Sequence, residues 1–295
     1  MSTKLNGKRV AITGGARGIG AATAEAFIAA GARVAIGDID AELAAKSATG
    51  MANARPGATV AAFELDVTDT ASFSAFLDSA HAELGGLDVL VNNAGIMPTG
   101  RFLDTDQGVD DRQLDINLRG VVLGSRLGGR RFVADGGGHL VNIASVAGVA
   151  AAPGVATYCA TKHAVVGLGS ALHQELAEDG VKVTTICPGF VNTELIAGIT
   201  PPWLVRKIGY VQPEDVANAI VDEVWRERGG QRFVPRSGGA ALKAMTFMPE
   251  NLRNRISKLL GMQHVTLDTD ESVRGAYRDR TEQLDLASTR KRGRK

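Results

Sequence analysis

Tyr158 and Lys162 are the pair of residues in this sequence best suited to moving a proton. They stand four positions apart, which puts both on one face if the segment is helical. A free phenol titrates at about pH 10 and is a poor base at neutral pH. A neighbouring ammonium stabilises the phenolate and lowers that value. The same spacing is common on helix surfaces, so the pair alone does not define a site. Ser145 adds a hydroxyl just beyond residues 139–143, which read as a strand. Asn117 falls inside a helical pattern between Ile116 and Leu118, a poor place for asparagine on propensity. Two cysteines, Cys159 and Cys187, lie near these segments. Two thiols in so long a chain make no disulfide framework. They read as small buried hydrophobes in a reducing compartment, the cytoplasm.

A second group of residues is built for an anion. Residues 13–20 read Thr-Gly-Gly-Ala-Arg-Gly-Ile-Gly, between a strand pattern and a helix pattern. Gly14, Gly18 and Gly20 permit a tight turn and close approach of the backbone, and Ile19 starts the helix. Backbone N–H groups at a helix N-terminus then face a phosphate. The spacing is GxxxGxG, which differs from both GxGxxG and the Walker loop. Asp38 ends the second strand pattern, 18 residues beyond Gly20. A carboxylate there accepts hydrogen bonds from the adenosine ribose hydroxyls and repels a 2′-phosphate, which favours NAD over NADP. Arg17 argues the other way, since a guanidinium pairs with phosphate. Ile39 supplies no second cation.

These residues need a scaffold that brings them to one edge. Short apolar runs at 9–13, 33–37, 59–64, 89–92, 139–143, 182–187 and 232–234 read as strands. Helical patterns at 18–30, 41–49, 70–84, 110–132, 157–178 and 213–227 alternate with them. The expected fold is α/β: a doubly wound parallel sheet of about seven strands, Rossmann-type, with helices on both faces. Ligands bind beyond the carboxyl ends of such strands. Hydrophobic residues make up 44% of the chain and the net charge is +1, so neither disorder nor a field for nucleic acid is expected. The polar start of the chain carries no leader pattern. The uncharged stretch 140–161 is broken by Asn142 and Pro153 and does not read as a membrane span.

Residues 1–238 form the expected catalytic domain and 239–295 a C-terminal extension. Within the extension, Leu252, Ile256, Leu259 and Leu260 share a helical face, and a basic tail follows. Packing over the pocket, contact with another subunit and peripheral membrane contact all fit that helix.

Taken together, the motifs make the chain resemble the short-chain dehydrogenase/reductase family in its compact single-domain branch. The motifs are residues 13–20, Asp66-Val67, residues 92–95, Asn117, Ser145, Tyr158 with Lys162, and residues 188–193. The resemblance covers about residues 8–235. It implies an oxidoreductase that interconverts an alcohol and a carbonyl, with catalytic residues Asn117, Ser145, Tyr158 and Lys162. Tyr158 would exchange the proton, Lys162 would lower its pKa and hold the nicotinamide ribose, and Ser145 would orient the substrate oxygen. Asn117 would support a water linking Lys162 to solvent. Asp66 and Val67 would flank the adenine, and Asn93, Ala94 and Gly95 would line the cleft. Pro188, Gly189, Val191 and Thr193 would position the carboxamide and phosphates. No metal is expected.

Residues 190–212 interrupt the alternation with Leu195, Ile196, Trp203 and Val205, and Ile96, Met97 and Phe102 follow another strand. An apolar pocket for a small hydrophobic substrate, such as a lipid, retinoid or steroid-like alcohol, is expected. The uncharged span 163–173 points to a homo-oligomer, dimer or tetramer, paired through that helix. An NADP-linked ketoreductase of acyl substrates and a catalytically silent cofactor-binding protein are the alternatives.

Overall fold

A computed structural model describes residues 4–239, 242, 247–259, 261, 263, 265–270 and 272–281. Seven parallel strands form: β1 (Arg9–Thr13), β2 (Arg33–Asp38), β3 (Val60–Glu64), β4 (Val89–Asn92), β5 (Gly138–Ile143), β6 (Val181–Pro188) and, after a two-stranded β7–β8 pair (Phe190–Val191 and Tyr210–Val211), β9 (Gly230–Val234). Their order is β3-β2-β1-β4-β5-β6-β9. It reverses between β1 and β4, which opens a crevice at the carboxyl edge.

Strand side chains alternate between two cores because the pleat has a period of two. Val10, Ile12, Val34, Ile36, Val89 and Val91 point to one layer, where Phe27 and Ile28 of α1 (Gly18–Ala29) and Val216 and Ile220 of α8 (Pro213–Trp225) pack. Ala11, Ala35, Leu90 and Leu140 point to the other. There they meet Phe73, Phe76 and Leu77 of α3 (Thr70–Leu84) and Phe132 of α5 (Gly120–Ala134). Burying each such Leu, Ile or Phe is worth about 1.5–3 kcal/mol, so the two layers hold the sheet from both sides. Asp69 caps α3 by accepting from Ser72 N at 2.7 Å, and Gly85 at φ 76° stops it.

Three expectations on elements need correction. The helix at 41–49 runs further, as α2 (Ala41–Ala54), because Gly50 is no stop where Met51 has a core to enter. The single helix at 110–132 is instead α4 (Gln107–Leu114), a π turn at Asp115–Arg119, and α5. The helix within the extension forms as α9 (Glu250–Leu259), but its apolar stripe is not packed down. Leu252 and Leu259 are 47% and 88% exposed. The helix borders the cavity through Glu250, Arg253, Asn254 and Ser257, and residues 265–270 and 272–281 also close on its mouth, where Val265 and Tyr277 are buried. Leu260 and the basic tail lie outside the described residues. Among the described residues no helix is long and apolar enough to cross a membrane.

Candidate active site

The carboxyl edges of β1, β2, β4, β5 and β6 open into one continuous cavity of ≈ 1260 Å³. Its cofactor end is shaped by glycines. Gly14 sits at φ 63°, and a Cβ there would lie 2.9 Å from Ala94 Cα. A Cβ on Gly20 would lie 2.1 Å from the Gly14 carbonyl oxygen, so no larger residue fits either position. Asn93 braces the turn, donating from Nδ2 to the carbonyls of Thr13 and Gly14, both at 2.9 Å.

Asp38 closes this end. It accepts from Ala16 N at 3.1 Å and from Asp40 N at 3.2 Å. Burial pushes its carboxyl up, while those two amides and Arg17 oppose the shift. Arg17 is held by Asp40 at 2.8 Å and lies 3.6 Å from Glu194. Asp66 is turned onto Thr68, accepting from its amide and its hydroxyl at 2.9 and 2.7 Å. Val67 and Asp66 both line the cavity.

At the other end lie Ser145, Tyr158 and Lys162, all buried. Ser145 stands just past β5 and caps a short turn, accepting from Ala147 N at 3.1 Å. Tyr158 and Lys162 stand on one face of α6 (Ala156–Glu175), with Lys162 Nζ 5.5 Å from the phenol ring centre. Lys162 Nζ donates to the Ile143 carbonyl at 2.8 Å. Burial lowers the Lys162 pKa to about 8, so it still carries a proton at neutral pH. Burial raises the Tyr158 phenol, Ser145 pulls it back down, and Tyr277 adds a smaller upward push. The chamber thus holds a neutral phenol beside an ammonium. A positive charge arriving nearby would release the phenol proton.

Of the residues nominated from sequence, Gly14, Arg17, Gly18, Ile19, Asp38, Asn93, Ala94, Gly95, Pro188, Gly189, Val191 and Thr193 line this cavity with the catalytic group. Gly20 and Asn117 stand behind its wall. Asn117 is fully buried in the π turn, whose extra residue rotates it inward. Its Nδ2 donates to the Ile96 carbonyl at 2.7 Å and its Oδ1 accepts from Ile96 N at 2.8 Å. A Cβ on Gly95 would lie 3.2 Å from Asn117 Oδ1 and 3.7 Å from Lys162 Nζ, so glycine keeps the approach to the ammonium open. Phe102 and Trp203, expected in the pocket, are 60% and 73% exposed.

Residues 265–281 were missed. Tyr277 OH accepts from Met97 N at 2.8 Å, and Arg274 donates to the carbonyls of Met97 and Ala197 at 2.5 and 2.9 Å. Arg280 pairs with Glu194 at 2.6 Å. Arg274, Tyr277 and Arg280 recur every third residue, one face of a helix. That spacing is present in the sequence, but its residues form no apolar stripe that would mark it.

The sequence pattern of the family described as short chain dehydrogenase matches residues 8–202. The chain belongs to the short-chain dehydrogenase/reductase family. It is 43% identical over 248 residues to the probable oxidoreductase EphD of Mycobacterium tuberculosis, matching 77% of this chain and 41% of that protein. The match thus spans about two fifths of that relative's length. It is 38% identical over 222 residues to the 3-alpha-(or 20-beta)-hydroxysteroid dehydrogenase of the same organism, covering 75% of this chain and 84% of the relative. The fold matches a 3-ketoacyl-(acyl-carrier-protein) reductase from Brucella melitensis complexed with NADH. That match has a TM-score of 0.72 and 29% identity, over 79% of this chain and 99% of the other. Members of this family are oxidoreductases that bind a nicotinamide cofactor. The cavity fits that group, since it runs unbroken from Asp38 and Val67 to Ser145 and Tyr158.

Proposed function

We propose that the chain is an NAD-dependent dehydrogenase of hydrophobic alcohols. The observation that carries this reading is one cavity with Asp38 at one end and Tyr158, Lys162 and Ser145 at the other. At the Asp38 end, Arg17 is already engaged by Asp40 and faces Glu194. A 2′-phosphate would meet a carboxylate-rich corner, which supports NAD over NADP. At the catalytic end the wall is apolar, from Ala147, Val149, Ala152, Val155 and Ile196. That lining supports a lipid, retinoid or steroid-like substrate, and the hydroxysteroid dehydrogenase relative is in keeping with it.

A nicotinamide cofactor held along this cavity would supply the acceptor for the hydride of the carbinol carbon. The chain's own residues handle the proton. Ser145 holds the substrate oxygen, and the Tyr158 phenolate takes its hydrogen. Lys162 stabilises that phenolate and holds the ribose. Asn117 fixes the wall at Ile96, and we assign it the support of a water that links Lys162 to solvent. In reduction the same groups run in reverse, since proton and hydride belong to one C–O unit.

The two buried free thiols support a reducing cytoplasmic setting. The outer face of α6 supports pairing of subunits. A peripheral membrane contact through α9 is supported by its exposed Leu252 and Leu259 beside Arg255 and Lys258. The test is turnover of a panel of apolar secondary alcohols with each cofactor. NAD should give the higher kcat/KM, Asp38→Ala should narrow the preference, and Tyr158→Phe should abolish turnover while NAD still binds. A higher kcat/KM with NADP in the unmodified enzyme would overturn the cofactor reading. Turnover by Tyr158→Phe would overturn the mechanism.

A further inference from the structure

Residues 265–270 and 272–281 are stitched to three separate loops at the mouth of the cavity. The first is the loop after β4, held at Met97 by Tyr277 and Arg274. The second leads into α6, where Thr266 donates to the Pro153 carbonyl and Gly154 packs under the Thr266 backbone. The third is the flap after β7. It is held by Arg274 at Leu195 and Ala197, by Arg280 at Glu194, and by the Asp270 amide donating to the Gly198 carbonyl at 3.0 Å. Glycine is required at two of these seams. A Cβ on Gly154 would lie 2.8 Å from the Thr266 carbonyl, and one on Gly198 would lie 2.6 Å from the Asp270 carbonyl.

Within this cover Tyr277 is the aromatic residue that reaches the chamber. It is buried, and it lines the same cavity as Ser145 and Tyr158. Its ring cannot swing aside freely. The hydroxyl is tied to Met97 N, and the Arg274 and Arg280 guanidinium carbons lie 5.1 and 5.6 Å from the ring centre. A ring held at its tip and across its plane denies a fixed volume to whatever occupies the chamber. Met97, Val155, Ile196 and Val265 form one apolar cluster with Tyr158. Tyr277 lines the same cavity and is near enough to Tyr158 to add to the rise that burial gives its phenol pKa.

We propose that Tyr277 is a specificity-determining residue: its clamped ring caps the substrate chamber and sets the bulk of the alcohol that fits above Tyr158. The inference rests on the dehydrogenase reading and deepens it. The ring selects apolar alcohols whose group on that side is compact, and excludes those that carry a bulky one.

The test compares two apolar secondary alcohols, one compact and one bulkier by a ring or several methylenes, in the 295-residue chain with NAD. The quantity read is the ratio of their kcat/KM values, which does not depend on the fraction of enzyme that is folded. Tyr277→Leu and Tyr277→Ala should shift the ratio toward the bulky alcohol by roughly tenfold or more, since one methylene in an apolar pocket is worth roughly 10–200-fold. Tyr277→Trp should shift it toward the compact one. Tyr277→Phe keeps the ring and should leave the ratio close to that of the unmodified enzyme. A ratio unmoved in both the Leu and Trp variants overturns the assignment, even if all variants lose activity equally. If the unmodified enzyme turns over no alcohol, the dehydrogenase reading itself fails, and the two failures are distinct.

Discussion

Lys162 keeps an ammonium buried against the Ile143 carbonyl and the Tyr158 ring. Burial brings its pKa to about 8, well below its ordinary value of 10.5. The unfolded chain therefore binds more protons than the folded one between those two values. Folding stability should rise with pH across that window, and the cost of the buried charge is full below it. Lys162→Met should remove that rise. It should also cut kcat/KM by about two orders of magnitude or more, the usual scale for acid–base assistance, while Tm holds or increases. Thermal melts at pH 7, 8.5 and 10 alongside turnover check both halves, and a large fall in Tm would contradict the account. The placement of Tyr158, Lys162 and Asp38 on one cavity was legible because each stands at a fixed offset within its motif. Tyr277 was not, because its importance comes from where a distant segment lands.

At the scale of elements, the π turn at Asp115–Arg119 decides what Asn117 can do. In a regular helix the residue would be one more polar group on a surface. Here it satisfies both the N–H and the carbonyl of Ile96, in the loop that forms the wall beside Lys162. Asn117→Ala would orphan two buried backbone groups, each costing about 1–3 kcal/mol. Urea unfolding should show a loss of that order, with a fall in kcat as the Ile96 wall loosens. An unchanged midpoint would mean that the loop finds other partners. The alternation of strands and helices was readable from periodicity, since strands buried on both faces are near-continuous runs of Val, Ile, Leu and Ala. The π turn was not, because one inserted residue leaves the apolar pattern of residues 110–132 intact to the eye. The stripe of α9 misled for the opposite reason. Its pattern is regular and the helix does border the cavity, yet through its polar Glu250, Arg253, Asn254 and Ser257, while Leu252 and Leu259 of the stripe stay exposed.

For the whole molecule, α6 packs on the sheet through Val165 and Gly169, while Gly167, Ser170 and Ala171 face outward uncovered. No charge interrupts residues 164–172. A flat uncharged face of this kind is suited to a two-fold copy of itself. Light scattering at micromolar concentration should give a dimer or tetramer mass, and Gly167→Arg should shift it toward the monomer. A monomer mass for the unmodified chain would end that reading. A consequence of another kind follows from Arg274, whose one guanidinium grips both the flap and the loop after β4. Were the two walls to loosen only together, admission of substrate would be a single concerted event. Binding gated in this way is first order once substrate is abundant. Its observed rate then levels off with concentration at the frequency with which the gate opens, however quickly substrate diffuses to the mouth.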